Sequence, residues 1–176
     1  MDKSKPLVGI LMGSPSDIPV MEEASRVLDQ LGVPWEAHIC SAHRSPGKAL
    51  AYAAGAAARG LDVLIAGAGW AAHLAGFVAA QTPLPVIGVP IDSSPLKGID
   101  ALLATVQMPP GVPVATMAIG KGGARNAGVL AAQILSTKYP ELRERIVRFK
   151  GDMAAEVESK DQELQASRGS RDDRKR

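Results

Sequence analysis

The sequence predicts an α/β protein in which helices cover both faces of a parallel β-sheet. Short apolar runs rich in Val, Ile and Leu alternate with segments of about ten to fifteen residues whose apolar side chains recur at helical spacing, the pattern of successive βαβ units. The 176 residues fit one compact domain, and 46% of them are hydrophobic, enough for a sizeable core. Because only 3% are aromatic, that core is expected to consist of Ala, Val, Leu and Ile.

Turn and cap residues place the elements along the chain. We predict strands at residues 6–13, 35–40, 61–69, 84–90 and 112–120. We predict helices at residues 18–32, 46–59, 71–80, within 93–107 and at 124–136. Gly32 marks the end of the first helix, and Ser45 and Pro46 mark the N-cap and first position of the second. A long charged helix is predicted from about Pro140 to Leu164.

The net charge of +2 resides in the C-terminal segment. Six of the 20 Lys/Arg and four of the 18 Asp/Glu lie at or after Lys160, which leaves 14 of each sign in the rest of the chain. A neutral body has no overall basic field, so nucleic acid is not an expected partner. Residues 1–164 are expected to form one domain with its C-terminal helix, and residues 165–176 a charged, disordered tail. The alternative role for that tail is an RNA or membrane tether.

Neither membrane insertion nor secretion is predicted. No stretch of about 18 apolar residues runs free of charges and breakers. The N-terminal segment lacks the apolar core and cleavage site of a signal peptide, because Gly13 and Asp17 follow quickly. Cys40 is the only cysteine, which excludes an internal disulfide and fits a reducing cytoplasm.

Four polar clusters each follow a predicted strand. They are GSPSD at 13–17, SAHRSP at 41–46, GAGWAAH at 67–73 and GKGGARN at 120–126. In a parallel sheet the carboxyl ends of the strands share one edge, and ligands bind there near the point where the strand order reverses. We therefore expect the four clusters to form one site.

The first cluster has the features of a phosphate site. Backbone N–H groups and the hydroxyls of Ser14 and Ser16 stand at the start of a helix, where the helix dipole favours an anion. Asp17 is a poor neighbour for phosphate but a good acceptor for ribose hydroxyls. The alternative is that Ser16 or Asp17 only caps the helix. Neither a Walker lysine motif nor G-x-G-x-x-G is present, which disfavours nucleoside triphosphates and dinucleotides.

The second and third clusters supply candidate acid–base and anion-binding groups. Arg44 can bind phosphate in a bidentate manner, and its neighbour His43 is of the residue type whose unperturbed pKa lies close to neutrality. The glycines of the third cluster, among them Gly69, let a ligand approach the backbone. His73, at a helix start, either holds a substrate carboxylate or packs as a structural residue. His38, within a predicted strand, is interpreted as structural. With three histidines and one cysteine at no recognisable ligand spacing, no metal is expected.

Six segments in order resemble the bacterial N5-carboxyaminoimidazole ribonucleotide mutase family of purine biosynthesis. They are GSPSD, SAHRSP, IAGAG-AAHL-G, LPVIGVP, VQMP-GVPVATMAIG and NAG-LAAQIL, and they extend from about Leu7 to Leu135. The resemblance implies a flavodoxin-like, three-layer α/β/α sandwich, usually assembled as a homo-octamer in the cytoplasm. It also implies a ribonucleotide substrate, no metal and no organic cofactor.

The resemblance further implies a reaction and a substrate site. The carboxylate moves from the exocyclic nitrogen of the aminoimidazole ribonucleotide to ring carbon 4, through loss and recapture of carbon dioxide. His43 is implied to protonate the departing nitrogen and then to remove the proton from carbon 4, as one group near neutral pKa can do. The implied substrate site comprises Ser14, Ser16, Asp17, Ser41, His43, Arg44, Gly69 and His73.

Three residues depart from the family pattern. Trp70 stands where members usually have Gly, Ala75 where they have Pro, and Phe77 where they have Met. Ser45 for the usual Thr is a milder change, since both residues cap helices. An indole in a glycine-rich loop either narrows the site or faces a subunit interface. We expect the loop to keep its function with an altered shape.

Three other functions compete with the mutase. A related carboxylase adds free carbon dioxide to aminoimidazole ribonucleotide, but that branch generally lacks the GAG-AAHL-G segment present here. A flavodoxin-like module that binds FMN is the second alternative, in which Trp70 stacks on the flavin. The third is an assembly or scaffold protein, which the charged C-terminal helix and tail would serve.

Overall fold

The structure is a five-stranded parallel sheet covered by helices on both faces. The computed structural model describes residues 5–172. The strands are β1 (Val8–Met12), β2 (Trp35–Ile39), β3 (Val63–Gly69), β4 (Val86–Ile91) and β5 (Ala115–Thr116). Their order across the sheet is β2-β1-β3-β4-β5, and Val8 of β1 pairs with Trp35 on one side and Val63 on the other. The predicted parallel α/β fold is confirmed.

Six helices alternate with the strands in the described part of the chain. They are α1 (Ile18–Gln30), α2 (Pro46–Arg59), α3 (Leu74–Ala79), α4 (Ile99–Val106), α5 (Lys121–Leu135) and α6 (Glu141–Asp172). A 3-10 turn at Pro15–Asp17 precedes α1. Helix α2 begins at Pro46 and ends before Gly60, whose φ of 94° lies in the left-handed region, as the cap and proline signals predict.

The sheet is buried on both faces, which explains why its strands are continuous apolar runs. Successive side chains of a strand point to opposite faces. Ile10 of β1 packs with α1, α5 and the start of α6 on one face, whereas Leu11 packs with α2 and α3 on the other. All five residues of β1 and the first five of β3 are buried. The result is three layers, with the sheet in the middle.

Helix α3 begins later than the sequence predicts, because of backbone conformation. Helix α3 starts at Leu74 rather than 71, since Trp70 and Ala72 have φ of 55° and 44°, which a right-handed helix does not contain. Helix α4 lies within the predicted stretch 93–107, and its start at Ile99 follows Lys97 and Gly98, whose φ values are 52° and 83°. Positive φ in three non-glycine residues is not encoded in hydrophobic periodicity.

The last strand and the last two helices also differ from the prediction. Strand β5 is two residues long instead of covering 112–120, and Pro113, which lacks the N–H that pairing needs, accounts for its late start. Beyond it, Met117 still donates to the Gly88 carbonyl at 2.8 Å. Helix α5 starts at Lys121, three residues earlier than predicted. Helix α6 continues past Leu164 to residue 172, and residues 173–176 lie outside the described residues. The domain boundary at residue 164 and the disordered tail stay predictions.

The strand order fixes where a ligand can enter. The chain runs from β1 outward to β2, then crosses back over β1 to β3, so the direction of winding reverses between β1 and β3. Loops that leave the carboxyl ends of those two strands diverge and create a crevice, which is the usual ligand position in open α/β sheets.

Candidate active site

A cavity of about 530 Å³ opens at this crevice. It is lined by residues that follow β1, β2, β3 and β4, so the sheet edge supplies every wall. All eight residues predicted for the substrate site line it: Ser14, Ser16, Asp17, Ser41, His43, Arg44, Gly69 and His73. The remaining walls come from Gly13, Ala42, Ala68, Trp70, Ala72, Leu74 and Ser93.

Residues 14–17 form a capped turn that lines the cavity. Ser14 has extended backbone, and its Oγ accepts from the N–H of Ser16 at 3.4 Å and from the hydroxyl of Ser16 at 3.0 Å. Asp17 Oδ2 in return accepts from the N–H of Ser14 at 3.0 Å. This reciprocal arrangement is a capping box. The predicted cap and the predicted binding cluster are therefore the same structure.

The Asp17 carboxyl is nearly buried, with 4% of the residue exposed. Burial raises the pKa of Asp17, while the N–H groups of Ser14 and Gly13 and the Arg44 guanidinium act in the opposite direction. The Asp17 side chain stabilises the turn by accepting from the N–H of Ser14, and it also borders the cavity. It thus joins a structural role to a position within reach of a ligand.

Ser41 and Arg44 connect the loop after β2 to the loop after β1. Arg44 donates from Nη2 to the Gly13 carbonyl at 2.8 Å and from Nε to Ser41 Oγ at 3.4 Å. The backbone N–H of Arg44 also donates to Ser41 Oγ, at 3.1 Å. Ser45 stands at the N-cap of α2 as predicted, but its Oγ accepts from the N–H of Ser41 at 3.0 Å rather than from the helix. The Arg44 guanidinium is therefore already oriented beside the loop after β1 in the free protein.

His43 and His73 form a hydrogen-bonded pair across the cavity. His43 Nε2 lies 2.7 Å from His73 Nδ1, and the two rings meet edge to face with centroids 4.8 Å apart. One of the two facing nitrogens must carry a proton and the other must accept it, so a single proton is shared between the rings. The sequence placed both histidines in the site, but the contact between residues 30 positions apart was not predicted.

The loop from Gly69 to His73 forms the wall beside the histidines. The N–H of Ala72 donates to the Gly69 carbonyl at 3.0 Å, which closes a turn with Trp70 as its second residue. A side chain on Gly69 would lie 3.0 Å from the Ile91 carbonyl oxygen and would collide with Ser93, so only glycine fits there. Trp70 adopts φ of 55°, a conformation that costs an L-residue about 1–2 kcal/mol.

Ser93 is a wall residue that the sequence analysis missed. It follows β4 directly, as the other cluster residues follow their strands. The rule that ligands bind beyond the carboxyl ends of strands could have found it in the segment VPIDSS. Its contact with Gly69 joins the loops after β3 and β4.

The fourth polar cluster does not line this cavity. Residues 120–126 follow the edge strand β5, and β4 separates that strand from the β1–β3 crevice. Within the cluster, Gly123 allows the start of α5 to approach the Ala118 backbone closely, whereas Gly122 has no neighbour within 4 Å. The expectation of four converging loops was wrong in this respect, since the fourth wall comes from the loop after β4.

Three other reactive side chains lie outside the cavity. His38 lies beside Glu36, with Nε2 to Oε1 at 3.8 Å, and stacks at a tilt on Tyr52. Cys40 is fully buried, and Lys48 donates to the Ile39 carbonyl at 2.8 Å. Across residues 5–172, no three His, Cys, Asp or Glu side chains come together as metal ligands do. No helix in this part of the chain has the length and apolar character needed to cross a membrane.

Known proteins resemble the chain over most of its length. The family model described as AIR carboxylase matches residues 7–156. A Pyrococcus horikoshii protein named N5-carboxyaminoimidazole ribonucleotide mutase is 56% identical over 94% of this chain and 92% of its own length. The Mycobacterium tuberculosis (strain H37Rv) protein of the same name is 55% identical over 94% of each chain. The crystal structure of Treponema denticola PurE matches with a TM-score of 0.79 at 28% identity, covering 91% of this chain and 99% of that one.

Proposed function

The chain belongs to the AIR carboxylase family, and we propose that its cavity carries out the N5-carboxyaminoimidazole ribonucleotide mutase reaction with His43 as general acid and base. The enzyme converts N5-carboxyaminoimidazole ribonucleotide into 4-carboxy-5-aminoimidazole ribonucleotide in purine biosynthesis. The observation that supports the role of His43 most directly is the histidine pair, which borders the same cavity as Arg44 and the Ser14 turn. Acid–base and anion-binding groups thus border the same cavity.

The reaction needs a proton to be given and then taken back. The carbamate nitrogen leaves more easily as a neutral amine, so His43 donates a proton to it as the N–C bond breaks and carbon dioxide forms. Ring carbon 4 then attacks the carbon dioxide, and His43 removes the proton from that carbon to restore the aromatic ring. No proton is gained or lost overall, because the proton that His43 gives to the nitrogen is balanced by the one that it removes from carbon 4.

The phosphate end of the substrate lies at the loops after β1 and β2. Ser14, Ser16 and Ser41 supply hydroxyls, and Arg44 supplies a guanidinium that is already oriented by Gly13 and Ser41. In this arrangement Asp17 accepts from a ribose hydroxyl through an oxygen lone pair that the Ser14 turn does not use. Small residues in the walls, Ala42, Ala68 and Ala72 among them, leave room for the ring and for carbon dioxide.

Binding in one cavity keeps the two fragments together. Recapture of carbon dioxide by carbon 4 is bimolecular in solution and becomes effectively unimolecular when both partners stay in one cavity. The energetic advantage comes from position rather than from an activating cofactor, and the His43–His73 pair supplies the acid–base group that such a reaction needs.

The test compares His43→Asn with the matched control His38→Asn. The two histidines lie five positions apart, but His38 is on β2 outside the cavity. We expect His43→Asn to lose about 10²–10⁴ in kcat while still binding the product ribonucleotide, and His38→Asn to retain wild-type kcat. Equal activity of the two variants would remove His43 from the mechanism.

A second arm separates the mutase from the direct carboxylase. Wild-type protein is offered N5-carboxyaminoimidazole ribonucleotide in one assay, and aminoimidazole ribonucleotide with bicarbonate in another, at matched concentrations. The mutase predicts rapid conversion of the first substrate. Turnover of the second pair alone would contradict the mutase reaction.

We also propose that the protein works as a cytoplasmic homo-oligomer, an octamer as the family resemblance implies. Leu96, Ile99, Leu103 and Val106 are exposed, and their spacing of three and four residues places them along one side of α4 and the turn before it. An exposed apolar stripe of this kind is typical of a subunit contact. Light scattering should give a multiple of 18.3 kDa, and Leu103→Glu should lower it. A monomeric wild type would contradict the proposal.

A further inference from the structure

Trp70 combines three features that together need an explanation. It lines the cavity, it is 61% exposed, and it holds a positive φ of 55° that disfavours every residue except glycine. Backbone strain at a rim residue marks a place where the surrounding structure, and often function, overrides local preference. A large aromatic side chain left open to solvent beside a ligand cavity is also the usual form of a stacking surface.

The position of Trp70 indicates which part of a ligand it meets. The phosphate-binding groups belong to the loops after β1 and β2, whereas Trp70 belongs to the loop after β3, three residues before His73. His73 contacts His43, the group proposed to serve the imidazole ring. The loop that carries Trp70 is therefore the one that supplies the histidine pair, and not one of the two that supply the phosphate-binding groups.

We infer that Trp70 is a specificity-determining residue that packs against the aminoimidazole ring of the bound ribonucleotide. The inference rests on the proposed function for the identity of the ring. Stacking needs only an aromatic face on the ligand, and it buries indole surface that is exposed in the free protein. The turn between Gly69 and Ala72 fixes the backbone from which the indole projects, so no loop has to be ordered on binding.

A fluorescence titration tests the contact directly. The chain has two tryptophans, and Trp35 lies on β2 with its Nε1 donating to Asp29 at 2.7 Å, outside the cavity. In a Trp35→Phe background, all tryptophan emission comes from Trp70. The product 4-carboxy-5-aminoimidazole ribonucleotide should change that emission saturably. Ribose 5-phosphate, which has no ring, should compete with the product but leave the emission unchanged.

Variants at residue 70 give the kinetic test. Trp70→Gly should fold, because glycine adopts positive φ without strain, and a thermal melt at least equal to the wild type would establish this. We expect its KM and product dissociation constant to rise about fivefold or more, the effect of losing one stacked base contact. Trp70→Phe keeps an aromatic face and should recover most of the affinity.

Two results would overturn the inference. One is emission of Trp70 that stays constant while the product saturates the site. The other is Trp70→Gly with KM unchanged or kcat/KM raised, which would make the indole an obstruction. Failure of the proposed function gives a different result. If the wild type shows no mutase turnover but its fluorescence still changes saturably with the product, the ring contact is supported and the mutase reaction is rejected.

Discussion

Two adjacent glycines at the start of α5 provide the sharpest test of why the glycine-rich segment 120–126 exists. A Cβ added to Gly123 would lie 2.6 Å from the carbonyl carbon of Ala118 and closer still to its oxygen. A Cβ added to Gly122 meets nothing within 4 Å. If packing requires glycine at 123 but not at 122, the two alanine variants should have opposite effects on stability.

The size of each effect follows from the distances. Carbon atoms pack best at about 3.5–4.0 Å, and the Ala118 oxygen lies even closer than the carbonyl carbon, so Gly123→Ala forces a backbone shift of roughly 1.5–2 Å. We expect this overpacking to cost about 1–3 kcal/mol. Gly122→Ala reduces the conformational freedom of the unfolded chain at an exposed helical position and should gain about 0.5 kcal/mol. The two melting temperatures should then differ by roughly 3–14 °C for a chain of this size.

Calorimetry of both variants at one protomer concentration measures the difference, since an oligomer melts in a concentration-dependent way. The substrate KM of Gly122→Ala should match the wild type, because this segment does not line the cavity. A Gly123→Ala protein as stable as Gly122→Ala would refute the packing argument. If Gly122→Ala folds normally but has a raised KM, residues 120–126 contribute to substrate binding after all.

Three further changes probe the site and its support. Burial raises the pKa of Asp17 above its ordinary value of 3.8, so the folded state binds this proton more tightly than the unfolded state, and ionisation of Asp17 as the pH rises lowers the free energy of unfolding. The free energy of unfolding of Asp17→Asn, measured in urea, should therefore increase relative to that of the wild type between pH 3 and pH 7. A difference between the two proteins that does not change with pH would contradict this. Arg44→Ala should raise the substrate KM about tenfold or more, and Arg44→Lys should recover only part of the lost affinity. An unchanged KM in steady-state kinetics of Arg44→Ala would show that Arg44 does not bind the phosphate. Tyr52→Phe removes a 2.7 Å hydrogen bond to Glu36 and should lower stability by about 1 kcal/mol without altering KM, which thermal melts and kinetics check together.

The sequence predicts the sheet well because burial on both faces leaves a direct trace in it. Strands such as residues 63–66 must be apolar at every position, and the glycine and proline signals around α2 are local. The predicted helix start at residue 71 was wrong, since Trp70 and Ala72 adopt a positive φ against local preference.

The site shows the same division between what is local and what is not. A rule about strand ends identified the polar clusters, the family resemblance implied the eight residues within them, and the cavity brings those residues together. The pairing of His43 with His73 depends on β2 and β3 lying on opposite sides of β1, and hydrophobic pattern does not specify strand order. Ser93 followed the same rule and was overlooked, whereas the glycines near residue 122 satisfied the rule without joining the cavity.

The backbone of the loop after β3 links these observations. Left-handed residues at 70 and 72 prevent α3 from starting directly after β3, so the chain turns before the helix begins and His73 occupies its N-cap. A helix that started at residue 71 would place residue 73 within its first turn and change the direction of the imidazole. The same strained turn therefore sets the His73–His43 contact and holds the indole at the rim. For this reason Trp70→Gly, which relaxes the turn, should be examined for the pH dependence of kcat as well as for KM: a change confined to KM indicates lost ring contact, and a shifted pH profile indicates a displaced histidine pair.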